Sequence, residues 1–386
     1  MNATAVGWAL LDASLRCAAR GHDDSGAPVD ELAWALDAGS WVPLTRMHRH
    51  AWAEPELVVV LPTSLARTSA HDYADIVQQL VDQLADAAGP TTPGRAGLVA
   101  VIQCAHEAEL PSARERAEAV VAASGTSVPV LVLVSMARGK IAALNLAIGT
   151  LAAATRYVGW VDDDVRLEPH CLARMLRRLR DLAGPAAVGA TKKPHTSPHR
   201  TSTALARAKA AMPSAMNYPH GCALMVSVEV VADGIPGRYA NDDGWICVQL
   251  LEPGSTDPFS RLVLVPDASV HYTVAGDLQS SVRRLRRQRL GQVLLLADTD
   301  RATRHCYISR SFLQGVNLVP IRSGLPIGAA LALGLYSWVH VLTSVLLIVE
   351  LMVRAVVGRP LRHVTWGSPT SLDARSALAS TSGVQR

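Results

Sequence analysis

From about residue 55 to residue 300, short apolar runs alternate with longer amphipathic stretches, and that alternation predicts β-strands separated by helices. LVVVLP (Leu57 to Pro62), LVAVIQ (Leu98 to Gln103), VPVLVLV (Val128 to Val134) and TRYVGWV, ending at Val161, read as buried strands. The intervening stretches, Asp72 to Ala87, residues 111 to 123 and a segment opened by Gly139 and Lys140, read as helices; in the last, Ile141, Leu144, Ile148 and Leu151 keep helical spacing. That order predicts an α/β fold with a mostly parallel sheet and helices on both faces. Beyond it, Glu168-Pro169 starts a helix whose Leu172, Leu176, Leu179 and Leu182 share one face, with Arg174, Arg177, Arg178 and Arg180 around it. AAVGATKKP, the run Tyr218 to Val231 and the run Leu262 to Val274 predict further strands, and Ile246 to Leu251 and LQSSVRRLRRQRLGQVLLL predict helices. GPTTPGRAG and HTSPHRTST break the pattern as loops.

The two ends follow other rules. Residues 1–54 hold two weakly amphipathic pieces, Trp8 to Ala19 and Glu31 to Leu36, separated by GHDDSGAP; they form an N-terminal extension with no assigned chemistry. After a connector at 301–324, residues 325–358 are the one stretch apolar enough for a membrane, longer than the roughly 20 residues that cross a bilayer core. His340 and Glu350 interrupt it, which leaves either a tilted span ending near Val349 or a shallow helix pair. Arg310 and Arg322 before it balance Arg354, Arg359 and Arg362 after it, so the positive-inside rule assigns no orientation. Residues 359–386, rich in Ser, Thr and Gly, read as a disordered tail.

Composition narrows the class. The 386 residues are 49% hydrophobic but only 4% aromatic, and the formal charge of +4 comes with no basic tract interleaved with aromatics, which argues against a nucleic-acid partner. Cys17, Cys104, Cys171, Cys222, Cys247 and Cys306 stand far apart without CxxC spacing, so neither a zinc site nor a disulfide framework is expected. No charged n-region followed by an apolar run and a cleavage site opens the chain.

The chemistry concentrates in two acidic centres. Asp162, Asp163 and Asp164 follow directly on the strand YVGWV, at the carboxyl end of a sheet, where open α/β sheets form their ligand crevices. Three adjacent carboxylates are costly to ionise together without a cation among them. Alternate side chains of an extended segment leave on one face, so Asp162 and Asp164 can point together at a hard divalent cation while Asp163 points elsewhere; a solvated acidic turn is the bland alternative. The second centre is Asp242 and Asp243, in a loop before a helix, where helix capping is the alternative use. Lys140 stands at a helix start suited to an anion. Arg283, Arg284, Arg286, Arg287 and Arg289 crowd one helix and suit either a diphosphate or anionic lipid headgroups.

GKxxALNxAI, a strand, the triplet DDD and the connection VRLEP together resemble the core of family 2 glycosyltransferases, over about residues 55 to 295. The resemblance implies a GT-A fold, a nucleotide-sugar donor, and Mg2+ or Mn2+ held on the donor diphosphate by Asp162 and Asp164. It implies that Asp243, with Asp242 as the adjacent candidate, is the base that deprotonates an acceptor hydroxyl. Lys140, Asp162, Asp163, Asp164, Arg287, Gln288 and Arg289 form the expected nucleotide-sugar-binding set. The chain departs from the family in three places. Thr63, Ser64 and Leu65 follow the first strand in place of a Pro, Asn and Glu motif; Gln103, Cys104, His106 and Glu107 stand where a base-contacting Asp belongs; and QRLGQ keeps Gln288 of a QxxRW motif but has Gly291 and Gln292 for its Arg and Trp. His271 is a further candidate for the metal shell.

The expectation is a metal-dependent, inverting glycosyltransferase of the hexosyltransferase type, moving a sugar to a lipid or saccharide hydroxyl at the cytosolic face of the cell membrane. Two rivals stand beside it: a membrane-anchored GT-A-like binding protein without catalysis, and a nucleotidyltransferase, against which the absence of a Gly-rich loop in LPTSLARTS argues.

Overall fold

A computed structural model describes residues 33–37, 40–43, 55–65, 70–89, 95–124, 128–137, 139–195, 219–237, 239, 241–273, 278–309 and 327–357. In chain order the elements are β1 (Ala33–Asp37), β2 (Ser40–Pro43), β3 (Leu57–Ser64), α1 (Ala70–Ala88), β4 (Ala96–Gln103), α2 (Leu110–Ser124), β5 (Val130–Ser135), α3 (Lys140–Ile148), β6 (Tyr157–Val161), β7 (Val165–Leu167), α4 (Cys171–Arg180), β8 (Ala187–His195), β9 (Ala223–Ser227), α5 (Asp242–Leu250), β10 (Leu262–Thr273), α6 (Leu278–Asp298), α7 (Arg301–Tyr307) and α8 (Ile327–Val357). A single helical turn, Val228–Val231, follows β9.

Ten strands form one sheet in the order β2-β1-β5-β4-β3-β6-β9-β8-β10-β7. Its centre, β5-β4-β3-β6, is parallel, with Val60 facing both Ala100's neighbour Val99 and Trp160. These strands are buried along nearly their whole length, which is why they read as continuous apolar runs. The sheet is mixed, not mostly parallel: β9 enters antiparallel between β6 and β8, β7 pairs antiparallel with β10, and β1 pairs antiparallel with both β2 and β5. Apolar runs identify strands but carry no direction, so the sequence pattern missed these reversals. One core lies on each face. α1, α2 and α4 cover one through residues such as Leu80, Ala117 and Met175, and α3, α5, α6 and α7 cover the other through Leu144, Ile246, Leu294 and Tyr307.

Two ends of the sheet correct the sequence reading. Within the stretch 1–54, part of Glu31 to Leu36, read as amphipathic, is the strand β1, which with β2 extends the sheet beyond β5. Trp8 to Ala19 and the tail 359–386 lie outside the described residues. At the other end, the three residues Asp162 to Asp164 join β6, in the middle of the sheet, to β7 at its edge. Four trans steps from Val161 to Val165 reach at most about 15 Å, whereas four strand spacings need about 19 Å. The β8–β10–β7 end must therefore curl back over β6, and the β8–β10 ladder shifts register between Val265 and Ser269, where the strands bend.

Pro169 falls ahead of α4 instead of in its first turn: His170, with φ of 61°, is the left-handed cap, and its Nδ1 lies 2.9 Å from Asp86 Oδ2. The expected apolar face of α4 is present, and Arg180 reaches back to Glu56 with two bonds of 2.9 and 3.2 Å. The run read as a membrane segment is one continuous helix, α8, not a helix pair. Among the described residues no helix is long and apolar enough to cross a membrane.

Proline cannot donate to a ladder, so Ala35→Pro should open the β1–β5 pairing at Leu133. Loss of one bond of about 1.4 kcal/mol predicts roughly tenfold faster hydrogen exchange at Leu133, Val134 and Ser135, with β3 and β6 unchanged. Exchange at the wild-type rate would show that β1 gives the edge of β5 no protection.

Candidate active site

The parallel strands bring their carboxyl ends to one edge, and each supplies a polar group there. Thr63, next to last in β3, donates from Oγ1 to Asp163 Oδ2 at 2.5 Å, which turns that buried carboxylate back into the sheet. Gln103 at the end of β4 donates from Nε2 to the carbonyls of Ala137 (2.6 Å) and Gly139 (3.0 Å) and so fixes the approach to α3. Gly139 takes φ of 100°, a left-handed value that favours glycine, and hands the chain to Lys140 at the first position of the helix.

Lys140 is the hub. Its side chain turns inward, with the residue only 7% exposed, and Nζ lies 2.7 Å from Asp162 Oδ1, 3.0 Å from Asp242 Oδ2 and 2.5 Å from the Gly221 carbonyl. The two acidic centres, 80 residues apart in sequence, thus meet on one ammonium. Burial pulls the Lys140 amine down, but Asp162 and Asp242 overcome it and hold the amine above its ordinary range. Burial pushes the Asp242 carboxyl up to about 6, with Lys140 acting the other way and Asp243 and Asp162 adding to the rise. Trp160, fully buried in β6, donates from Nε1 to Asp242 Oδ2 at 2.6 Å.

Asp242 and Asp243 are not in a loop before the helix. They form the first turn of α5, just after Asn241, where the positive end of the helix favours acids. Asp242 is buried and engaged by Lys140 and Trp160. Asp243 is half-buried and accepts from the Gly221 amide (3.2 Å) and the Gly244 amide (2.8 Å). Gly221 is a packing glycine here: an added Cβ would stand 2.8 Å from Asp242 Oδ2. Its own backbone meets Lys140 through the carbonyl and Asp243 through the amide.

Other expected site residues lie apart from this hub. Asp164 is exposed. Gln288 is exposed and joins the site through its main chain, its carbonyl accepting from Asn241 Nδ2 at 2.9 Å. Arg289 is buried, with Nη1 donating to Gln292 Oε1 at 2.8 Å, and Arg287 is half-buried on the same helix. Glu107 is exposed in a short 3-10 turn. His271 Nε2 sits 3.0 Å from Glu168 Oε1, which also takes Lys193 Nζ at 2.6 Å; these partners, Lys193 first, hold the Glu168 carboxyl below its ordinary range.

Among the described residues no group of three or more His, Cys, Asp or Glu side chains is gathered to hold a metal ion. A Mg2+-like cation, however, is commonly held by one or two carboxylates and completed by substrate phosphate oxygens and water. Asp162, half-buried at the rim of the hub, and exposed Asp164 fit that donor set.

No family model matches this chain, and no curated protein matches it. Solved structures do overlap with it. A mannosyltransferase from Pyrobaculum calidifontis, in complex with GDP-Man and Mn2+, is 15% identical at a TM-score of 0.44, covering 99% of this chain and 92% of its own. S. aureus TarS 1-349 in complex with UDP is 13% identical at 0.38, covering 81% and 98%. Glucosyl-3-phosphoglycerate synthase from Mycobacterium tuberculosis, with Mn2+, UDP-glucose and phosphoglyceric acid, is 12% identical at 0.38, covering 69% and 82%. Overlaps this shallow fix neither fold nor activity.

Sequence reasoning missed Trp160, Asn241 and Thr63, since none belongs to a catalytic residue pattern. One available signal was a Trp two residues ahead of the acidic triplet on a buried strand, a polar handle in a buried position. Asn145, inside the GKxxALNxAI motif, is the other: it donates to the Ile235 carbonyl and accepts from the Ile235 amide, both at 2.7 Å, tying α3 to the segment that leads into Asp242.

Lys140→Met leaves Asp162 and Asp242 without their shared counter-charge, and breaking such a buried pair costs about 3–5 kcal/mol in urea unfolding at neutral pH. The folded chain keeps a proton on Asp242 that the unfolded chain releases between about pH 4 and about 6, so this group's contribution to stability falls as pH rises through that window. Without Lys140 the window moves upward, and the variant's deficit should shrink between about pH 7.5 and about pH 5. An equal deficit at both values would show that Asp242 is not the group left uncompensated.

Proposed function

We propose that the chain is a glycosyltransferase of the GT-A type, transferring a sugar from a nucleotide-sugar donor to an acceptor hydroxyl with inversion at the anomeric carbon. The observation that carries this reading is the convergence of two acidic centres on Lys140 at the carboxyl ends of the parallel strands. One centre faces the donor and the other the acceptor.

The residues divide the work by position. Asp162 and Asp164 hold a divalent cation, Mg2+ or Mn2+, which when bound supplies positive charge to the departing diphosphate. Asp163, bonded to Thr63, shapes the turn and does not reach the donor itself. Lys140 fixes the Asp162 carboxylate in place through its Nζ. Asp243, the more accessible of its pair, takes the proton of the acceptor hydroxyl as its oxygen forms a bond to the anomeric carbon. The bond from that carbon to the diphosphate oxygen breaks with its electron pair, and the nucleoside diphosphate leaves. Asp242, bound by Lys140 and Trp160, positions the first turn of α5 instead of accepting the proton. Arg287, half-buried on α6 beside exposed Gln288, is the guanidinium that suits the donor phosphate oxygens, while Arg289 is held by Gln292 within the helix. The acceptor is a lipid or saccharide, and the reaction takes place at the cytosolic face of the membrane, where nucleotide sugars are found.

The test is incubation of the purified chain with a panel of nucleotide sugars, Mn2+ or Mg2+ and membrane lipid, following products by mass spectrometry. Nucleoside diphosphate and a glycosylated acceptor are expected; pyrophosphate release would make the chain a nucleotidyltransferase, and binding without turnover would make it a binding protein. Asp243→Asn should keep its melting temperature and donor affinity while losing about 100- to 10,000-fold in transfer rate. Near-normal turnover in that variant, with Asp242→Asn inactive, would move the base by one residue. Asp162→Ala should abolish cation-dependent binding of nucleoside diphosphate in calorimetry, and an unchanged affinity would remove the metal from this site.

A further inference from the structure

α8 shows two opposite faces. Thr343, Leu347 and Leu351 are buried, the two leucines in the core that covers α3 and α5. Leu331, Leu335, Trp338, Leu342, Val349 and Val353 are each more than half exposed. With about 100° between successive residues, these six fall within about 60° of arc, roughly 150° round from the buried three. The stripe runs from Leu331 to Val353, about 33 Å, a length of exposed apolar surface far beyond the scattered leucines normal on a soluble domain.

Along one side of α8 runs α6, which carries exposed arginines. Glu350 lies between the exposed and the buried faces and pairs with exposed Arg286 of α6, which packs along α8. Arg283 and Arg284 are exposed on the same helix. An apolar stripe beside a helix with exposed arginines matches the boundary between acyl chains and anionic headgroups.

The same packing decides how the helix meets the bilayer. From Thr343 onward one face of α8 lies against the globular body, so that part cannot be surrounded by hydrocarbon as a spanning helix is. Ahead of it the described helix has 16 residues, Ile327 to Leu342, fewer than the roughly 20 a span needs. We infer that α8 lies in the plane of an anionic membrane, its exposed stripe sunk to the headgroup boundary and the α6 arginines on the lipid phosphates, so that the chain sits on the bilayer without crossing it. This deepens the membrane location in the proposed function. Vesicle binding is read without donor or acceptor, so its failure would leave the transfer reading standing.

The purified full chain should float with vesicles of phosphatidylcholine and phosphatidylglycerol and bind vesicles of phosphatidylcholine alone at least tenfold more weakly. Arg283→Gln with Arg284→Gln should weaken binding to the mixed vesicles by roughly tenfold or more, at about 1 kcal/mol for each charge near the surface. Leu335→Gln with Leu342→Gln should abolish flotation without lowering the melting temperature, because both side chains are already exposed. Fluorescent labels at Leu331→Cys, Leu342→Cys and Val353→Cys, read against the labelled unsubstituted chain, should report one shared depth to lipid-borne quenchers. A depth that rises and falls along the series would overturn the in-plane helix in favour of a span. Absence of flotation would overturn it too. Self-association lost in Leu335→Gln would then identify a second copy as the occupant, and a monomer would identify another segment of this chain.

Discussion

A single ammonium, Lys140 Nζ, holds two halves of the structure together. Asp162 follows the end of β6 and Asp242 starts α5, and the buried Asp242 carboxylate is costly without a counter-charge. The lysine can reach both because α3 starts at the same sheet edge, because Gln103 pins the residues before it, and because Gly221 leaves room for the Asp242 carboxylate. Remove any of these and the charges remain while their geometry does not.

This arrangement also separates two neighbouring acids that look alike on paper. Asp242 is surrounded by donors that leave it little freedom, whereas Asp243 accepts from two backbone amides and keeps contact with solvent. Adjacent positions on a helix point about 100° apart, so one can be structural and the next chemical. Hydrogen bonding between Trp160 and Asp242 makes the division firmer, since the indole belongs to the rigid centre of the sheet.

Much of this was legible from residues alone. The four central strands, the helices between them and the placement of Asp162 at a strand end follow from periodicity and from the burial of parallel strands on both faces. Strand direction was not legible, because β7, β9 and β1 are specified by pairing partners far away in sequence and not by their own composition. The inward turn of Lys140 was hidden for the same reason: a lysine at a helix start reads as surface or ligand contact until the acids that claim it are located. Arg289 went the other way, its expected ligand role meeting a side chain bonded to Gln292 within its own helix.

The link from β6 to β7 sets a mechanical limit on the molecule. Three residues act as a strut of fixed length between the centre of the sheet and its last strand, so the curvature of the whole β8–β10–β7 end is dictated by the residues that carry the acidic triplet. A lengthened link would let the sheet relax and would displace Asp162 from Lys140 in the same motion. Shape and charge placement are therefore one variable in this chain, and drift in one is constrained by the other.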